Sequence, residues 1–548
     1  MTVADLNWRN GTIPPHLQRY DGTGVWRDRP FGDIARDRAM SRPEAIAFAG
    51  AEIRTVADIV GDAEALAAGL LYIGLTEGDV VGFQLPNWEE CAVINLAAAM
   101  AGLVVNPISP IYRDVEVQQM LADSGCRAVF LTSMHRRFDY SAMIGRIRPS
   151  LPSLDHVIHV REDAPTSYDA LIEVGRGRAL GTPAPAAAAV KLLLYTSGTT
   201  GRAKAVLHSH NSTARFVDAC TRHWSVSEGE TILMPSPVTH ITGYSFGLEM
   251  PFLSGTQTIL MEAWDADEAI RLIDRHQVTG TISATPFLQE LTRAARAAGN
   301  HLPSLRFFAC GGAAVPPEII RDANANMAAE PGFRVFGCSE LPMITLDWRG
   351  ADQGERAATT DGEPIDYEVL VVDDSGAILP AGKEGEILAR GPSMFIGYAD
   401  PAQTSEVITP EGYFRTGDLG MLTTENALLI SGRKKDLIIR GGENISAKEI
   451  EDVLHRCPGI LEAAVVAMPH ERLGEGVCAY VVTSLDHTPT ERAIIDFVIA
   501  QGLARQKTPE RVVIVEALPR TITGKIRKDQ LRSDARALKA ALAPMSPA

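Results

Sequence analysis

The stretch Tyr195-Thr-Ser-Gly-Thr-Thr-Gly-Arg-Ala-Lys204 follows the apolar run Val190-Lys-Leu-Leu-Leu194. A strand-like run therefore ends in a segment with almost nothing to bury. Its two glycines let backbone N–H groups come close to a ligand. Thr196, Ser197, Thr199 and Thr200 add neutral donors, and Arg202 and Lys204 add positive charge. That combination suits oxyanions such as phosphate groups. The spacing GxxxxGK[ST] is absent, which excludes a Walker P-loop.

The rest of the chain says how an anion must be held. Its 548 residues carry 52 basic and 68 acidic side chains, a net charge of −16. Such a balance lacks the basic footprint of a general nucleic-acid binder. A polyanionic ligand must be held by a local positive site. With 45% apolar and 22% charged residues the chain is globular in composition and long enough for more than one domain. Seven scattered cysteines without a CxxC pair point to reduced thiols in a cytoplasmic compartment, with no zinc framework. The N-terminus has no apolar segment flanked by basic residues, so no signal peptide is expected. The most apolar stretch, residues 92–105, contains Asn95 and falls short of the roughly 20 residues that span a bilayer. It reads as a buried helix.

Organisation follows from pattern. Residues 1–30 read as an irregular lead-in. Over 31–180, helical patterns rich in Ala and Leu alternate with short apolar runs, which predicts parallel sheets flanked by helices. Residues 182–190 read as a local linker. After 360 two turn signals between β-rich runs predict hairpins in a smaller β unit. Beyond 434 another unit begins. Ser446-Ala-Lys-Glu449 reads as a capping box, and Thr488-Pro-Thr-Glu491 as a helix start with Pro at its first position. The last eight residues read as a frayed tail.

Several further segments carry chemistry. Val335-Phe-Gly-Cys-Ser-Glu340 groups a glycine with an aromatic ring, a hydroxyl and a carboxylate, the last three fit for an adenine face, a phosphate and a magnesium ion respectively; taken alone, Glu340 reads as a solvated surface acid. Gly311 and Gly312 offer close backbone approach. Asp418, after Thr416-Gly417, can accept from two ribose hydroxyls, or can be an ordinary turn aspartate. Residues 431–444 group Arg433, Lys434, Lys435, Asp436 and Arg440 around an apolar run, and Lys525 follows Gly524 in a loop that then turns helical. His208 and His210 have HxH spacing but no third ligand, and read as structural histidines. Gly175-x-Gly-x-x-x-Gly181 departs from the dinucleotide fingerprint GxGxxG and reads as a loop.

The order of these strings is more specific than any one of them. YTSGTTGRAK, PVTHITGYSFG, GGAAVP, FGCSE, DGEP, GEILARGPSMFIGY, FRTGD, GRKKDLIIRGGENI and PRTITGKI resemble the full motif series of the adenylate-forming superfamily, over roughly residues 30–530. That superfamily contains acyl-CoA synthetases, firefly luciferases and adenylation domains of peptide synthetases. The resemblance implies an α/β fold: a large N-terminal domain of flanked mixed and parallel sheets plus a small β unit (1–434), and a smaller mobile α+β C-terminal domain (435–548). It implies attack of a carboxylate on the α-phosphate of Mg·ATP, giving acyl-AMP and pyrophosphate. Displacement of AMP by the thiol of coenzyme A follows.

The resemblance also implies roles. Ser197, Gly198, Thr199, Thr200, Gly201 and Lys204 would hold the β- and γ-phosphates. Ser339 would contact the α-phosphate and Glu340 the Mg²⁺. Phe336, Gly337, Gly311 and Gly312 would flank adenine, and Asp418 and Arg433 would bind ribose. Lys525 would bridge the acyl carboxylate and the α-phosphate. Lys435 matches the hinge, Gly441 and Gly442 the pantetheine path, and His240 the gate beside the acyl site. The sequence departs from the common pattern at Arg202-Ala203, where Lys-Pro is usual, and at Phe336 and Ser339, where Tyr and Thr are usual; the loss of a tyrosine hydroxyl predicts weaker nucleotide binding. His240, Thr242, Gly243, Ala284, Thr285 and Gly311 are the acyl-pocket candidates, and several are small.

PSPVTHITGY is similar to ligases for alicyclic or aromatic acids such as cyclohexanecarboxylate. The expectation is an acyl-CoA synthetase for a hydrophobic, cyclic or bulky acid. The alternatives are a half-reaction specialist, such as a thiolation-only enzyme, and a catalytically silent nucleotide- or acyl-binding protein. A luciferase-like oxygenase rests on fold alone. No carrier domain follows residue 530, which argues against an assembly-line module. The resemblance leaves room for a homodimer and for a partner enzyme that supplies or uses an acyl-adenylate.

Overall fold

The computed structural model describes residues 12–50, 52–162, 166–181, 183–196, 203–313, 315–346, 353–440, 443–484, 487–521 and 524–542. Four large sheets organise them. The first has seven strands in the order Gly332–Arg334, Phe307–Cys310, Gly280–Ser283, Thr231–Met234, Gln257–Leu260, Ile46–Ala49 and Ile53–Thr55. All neighbours are parallel except the last pair. The second runs Gly397–Tyr398, Lys204–Ser209, Val190–Thr196, Val104–Pro107, Val80–Gln84, Ala128–Leu131 and His156–His159. It is parallel from Val190–Thr196 onward and antiparallel at the other edge. The alternation of apolar runs with helical patterns thus becomes parallel sheets flanked by helices, since parallel neighbours need a crossover connection long enough to hold a helix.

The apolar stretch after residue 90 forms the helix Glu90–Ala101, buried from Cys91 to its end and closed by Gly102 in the left-handed conformation (φ 70°). The GRGRALG string is not a nucleotide loop. Its Gly175 ends the helix Tyr168–Gly175, and a Cβ there would lie 1.8 Å from the Ala65 carbonyl oxygen, so glycine is needed for helix packing.

The predicted β unit is an antiparallel sheet of Glu368–Val372, Gly385–Arg390, Phe414–Leu422 and Leu428–Arg433. After a single turn at Lys434–Asp436 the chain enters the fourth sheet. There Glu443–Ile445, Ile438–Arg440, Gly474–Thr483 and Ile460–His470 lie side by side, and Arg511–Ile514 pairs parallel to Gly474–Thr483. The run Ala463-Ala-Val-Val466 is apolar throughout because both faces are covered. Ala463 and Val465 share a core with Ile450, and Ala464 and Val466 share one with Leu531.

Two helix starts differ in detail from the sequence reading. Ser446 caps Ala447–Leu454 by accepting from the Glu449 N–H, but the Glu449 carboxylate binds Lys507 at 2.6 Å, a stronger charged partner than a backbone N–H. The helix after Pro489 is Glu491–Ala500, capped by Thr490, whose hydroxyl accepts from the Ala493 N–H. Pro489 therefore precedes the cap and is not the first helical residue. The expected frayed tail, 541–548, lies largely outside the described residues.

Candidate active site

In a parallel sheet the loops leaving the carboxyl ends of the strands share one edge, and ligands bind there. Four adjacent strands of the first sheet deliver the predicted residues to that edge. His240, Thr242 and Gly243 follow Met234; Ala284 and Thr285 follow Ser283; Gly311 and Gly312 follow Cys310; and Phe336, Gly337, Ser339 and Glu340 follow Arg334. The second sheet adds Lys204, opposite Thr196 on paired strands. The antiparallel β unit adds Asp418 and Arg433, which are register partners with an Nε–Oδ1 distance of 2.8 Å.

The last unit brings Lys525 to the same place. A Cβ built on Gly524 would lie 3.4 Å from Pro286 and 3.9 Å from Ala284, and one on Gly312 would lie 4.0 Å from the Lys525 Cε. Burial, and then the charge of Arg433, lower the Lys525 pKa, while Asp418 and Glu340 pull it back up. The two carboxylates and two cations thus share one field. His240 stands in it too. Burial and the Lys525 charge push its pKa down to about 4, and its Nε2 is shut from solvent with no hydrogen-bond partner. A neutral imidazole with an unpaired nitrogen suits the lining of an acyl site. Burial raises the Asp418 pKa against the opposing pull of Arg433.

The Ser339–Glu340 segment is held from the second sheet. The Glu340 carbonyl accepts from the Phe395 N–H at 2.8 Å. Its carboxylate Oε1 accepts from the Tyr398 hydroxyl at 2.7 Å, and the Lys204 ammonium lies 4.8 Å from the Tyr398 ring centre. Tyr398 ends the motif GEILARGPSMFIGY, but nothing local in that motif signals its bond to Glu340. Phe336 is anchored through its N–H to the Thr345 hydroxyl at 2.9 Å. The DGEP string has a structural part: Asp361 binds Arg334 and accepts from the Ile430 N–H at 2.8 Å, tying the β unit to the first sheet.

Not every small residue marks room for a ligand. A Cβ on Gly243 would lie 2.1 Å from the Pro237 carbonyl oxygen, and one on Gly311 would lie 2.6 Å from that of Val335. These two glycines answer to backbone packing. Gly312 is the small position beside the Lys525 side chain, and Ala284 lies beside Gly524. Ser197, Gly198, Thr199, Thr200, Gly201, Gly441 and Gly442 lie outside the described residues.

This grouping of cations and carboxylates at one sheet edge agrees with what the chain resembles. The AMP-binding enzyme family matches residues 35–399, and the C-terminal domain of AMP-binding enzymes matches residues 449–525. The chain belongs to that family and is an adenylate-forming acid–thiol ligase by class. It is 34% identical over 533 residues to a medium-chain fatty-acid–CoA ligase of Escherichia coli strain K12, covering 94% of this chain and 92% of that protein. It is 32% identical over 552 residues to a salicylyl-CoA synthase / salicylate adenylyltransferase of a Streptomyces species, covering 96% and 97%. The crystal structure of ATP-bound MatB from Rhodopseudomonas palustris superposes with a TM-score of 0.84 at 27% identity, covering 93% of this chain and all of that one. Among the described residues no helix is long and apolar enough to cross a membrane.

Proposed function

We propose that this ligase is an acyl-CoA synthetase that activates a hydrophobic, cyclic or bulky acid, with alicyclic and aromatic acids such as cyclohexanecarboxylate as the first candidates. The observation that carries the reading is the meeting of Lys525 with Gly312, Ala284, His240, Asp418 and Glu340 at one sheet edge. The similarity to a salicylate-activating relative supports a ring-bearing acid.

A carboxylate is a poor electrophile and repels a polyphosphate. Lys525 would neutralise both the acyl carboxylate and the α-phosphate as they approach. Such chemistry is mostly positioning and charge compensation. Ser339 would donate to the α-phosphate, Asp418 with Arg433 would hold the ribose, and Phe336 would cover the adenine. Lys204, with Ser197, Thr199 and Thr200, would hold the leaving pyrophosphate. A magnesium ion fits Glu340, whose carboxylate supplies the hard oxygen this cation takes and is engaged at Oε1 by a neutral hydroxyl rather than a cation. When bound, it would neutralise phosphate charge.

The second step needs a different surface. We place the domain boundary at 434/435. Lys434 bonds Asp374 of the β unit at 3.1 Å, whereas Asp436 pairs with Arg532 of the last helix. Lys435 stands between these two anchors as the pivot. Rotation there would withdraw Lys525 and present Gly441 and Gly442 to the pantetheine arm. Lys435→Pro should spare pyrophosphate release and cut thioester formation by roughly tenfold or more. Normal thioester formation in that variant would remove the pivot assignment.

The substrate class is tested with Mg·ATP and a panel of cyclic, aromatic and linear acids, with and without coenzyme A. Pyrophosphate and thioester are measured separately, and synthetic acyl-adenylates are supplied in parallel. Both products from a cyclic acid would support the reading. Thioester from supplied adenylate, with no pyrophosphate from any acid, would replace it with a thiolation-only enzyme.

A further inference from the structure

His208 has no part in the chemistry above, yet its side chain bonds the backbone of the nucleotide-facing segment directly. It sits on the strand Lys204–Ser209 with no exposed surface. Its Nε2 lies 2.7 Å from the Ser339 carbonyl oxygen and its Nδ1 3.1 Å from the Ser212 hydroxyl. A carbonyl can only accept, so Nε2 carries the proton and Nδ1 accepts from Ser212. The tautomer is thereby set. Burial pushes the pKa down to about 4, which keeps the ring neutral and the donor in place.

Strand alternation puts Lys204 and His208 on the same face. Lys204 reaches Glu340 through the ring and hydroxyl of Tyr398, while His208 reaches the carbonyl of the preceding residue. The Phe395 N–H holds the carbonyl of Glu340 itself. The strand, its edge neighbour and the residue Phe395 just before that neighbour thus hold the Ser339–Glu340 segment at three points: two successive carbonyls and a carboxylate.

We propose that His208 is a positioning residue for adenylation: by donating to the Ser339 carbonyl it aims the Ser339 hydroxyl and the Glu340 carboxylate at the α-phosphate and its cation. The proposal rests on the roles given above to Ser339 and Glu340. An apolar side chain would fill the same space but leave the Ser339 carbonyl without its donor, and the segment held at two points instead of three.

The test compares His208→Leu with His208→Gln, each in the wild-type and Glu340→Gln backgrounds. His208→Leu should lower kcat/KM for ATP in acid-dependent pyrophosphate release by about tenfold to hundredfold. It should weaken equilibrium binding of the magnesium complex of a non-hydrolysable ATP analogue in the same direction. His208→Gln keeps an N–H donor and should recover most of both. In the Glu340→Gln background the His208→Leu loss should shrink, because both changes act on one segment. Should His208→Leu not fold, His208→Asn serves instead, since its shorter side chain cannot reach and should behave like the leucine. Wild-type binding and rate in the variant without the donor, or losses that simply add to those of Glu340→Gln, would overturn the proposal. If Ser339→Ala and Glu340→Gln alone left adenylation untouched, the assignment of the centre itself would fall.

Discussion

Two of the molecule's ion pairs, Lys191–Glu249 and Asp418–Arg433, stand in contrasting surroundings. Lys191 and Glu249 are paired with essentially no exposed surface. The Asn95 amide donates to Glu249 at 3.1 Å, the Tyr244 hydroxyl binds Asn95, and the Lys191 ammonium lies 4.4 Å from the Phe31 ring centre. Asp418 and Arg433 form a pair of the same kind, but the Arg433 side chain is 45% exposed and Lys525 stands beside them. The first is a sealed network that fixes the π-helix Gly243–Glu249, and with it the turn carrying His240, against the helix Glu90–Ala101 and the strand Val190–Thr196. The second is not sealed: the Arg433 side chain reaches solvent while Asp418 is buried. Burial of charge alone therefore does not distinguish a packing network from a candidate site.

The largest effect that separates the two pairs is on stability. Lys191→Met should destabilise the fold by about 3–5 kcal/mol, because it leaves Glu249 buried without its cation. Urea unfolding measures it, and a loss under about 1 kcal/mol would show that Glu249 finds other partners.

The next effect is acid sensitivity around the sealed pair. His208 is held near a pKa of about 4 by burial and the Lys191 charge, and His210 is also lowered by both. As pH falls below about 6.5 the unfolded chain takes up these protons first, so the folded state loses stability between about 6.5 and about 4. A histidine of this kind contributes up to about 3 kcal/mol over that window. Urea midpoints at pH 7, 6 and 5 should fall for the wild type and fall less for His208→Gln; equal slopes would contradict the cause given.

The smallest stability effect belongs to the open pair. Asp418→Asn should change stability by no more than about 1 kcal/mol, since its partner is half exposed. It should nonetheless weaken nucleotide binding by about tenfold to hundredfold, through the loss of charged hydrogen bonds. Calorimetric titration with ATP checks this. A large stability loss with unchanged affinity would make the pair structural.

What the sequence revealed follows the same division. The candidate site residues sit in ordered strings, because a parallel sheet delivers successive loops to one edge; His240, Gly312, Glu340, Asp418 and Lys525 were legible as candidates for that reason. Residues that hold those strings in place were not. His208 lies 131 positions from Ser339, and Tyr398 lies 58 from Glu340, so no local pattern joins them. Asn95 stood out only as a break in an apolar run. Its partners Tyr244 and Glu249 lie on another element, and only the packed core shows them together. Gly243 and Gly311 were read as room for an acid, since composition does not distinguish a glycine that opens a pocket from one pressed against a carbonyl.

Lys525 is the residue on which the two-step assignment turns. Wild type and Lys525→Ala are compared in two assays: pyrophosphate release from acid and Mg·ATP, and thioester formation from a synthetic acyl-adenylate and coenzyme A. The account predicts a fall of about hundredfold or more in the first, of the size seen when a charge-stabilising donor is removed, and little change in the second. Equal losses in both half-reactions would contradict it.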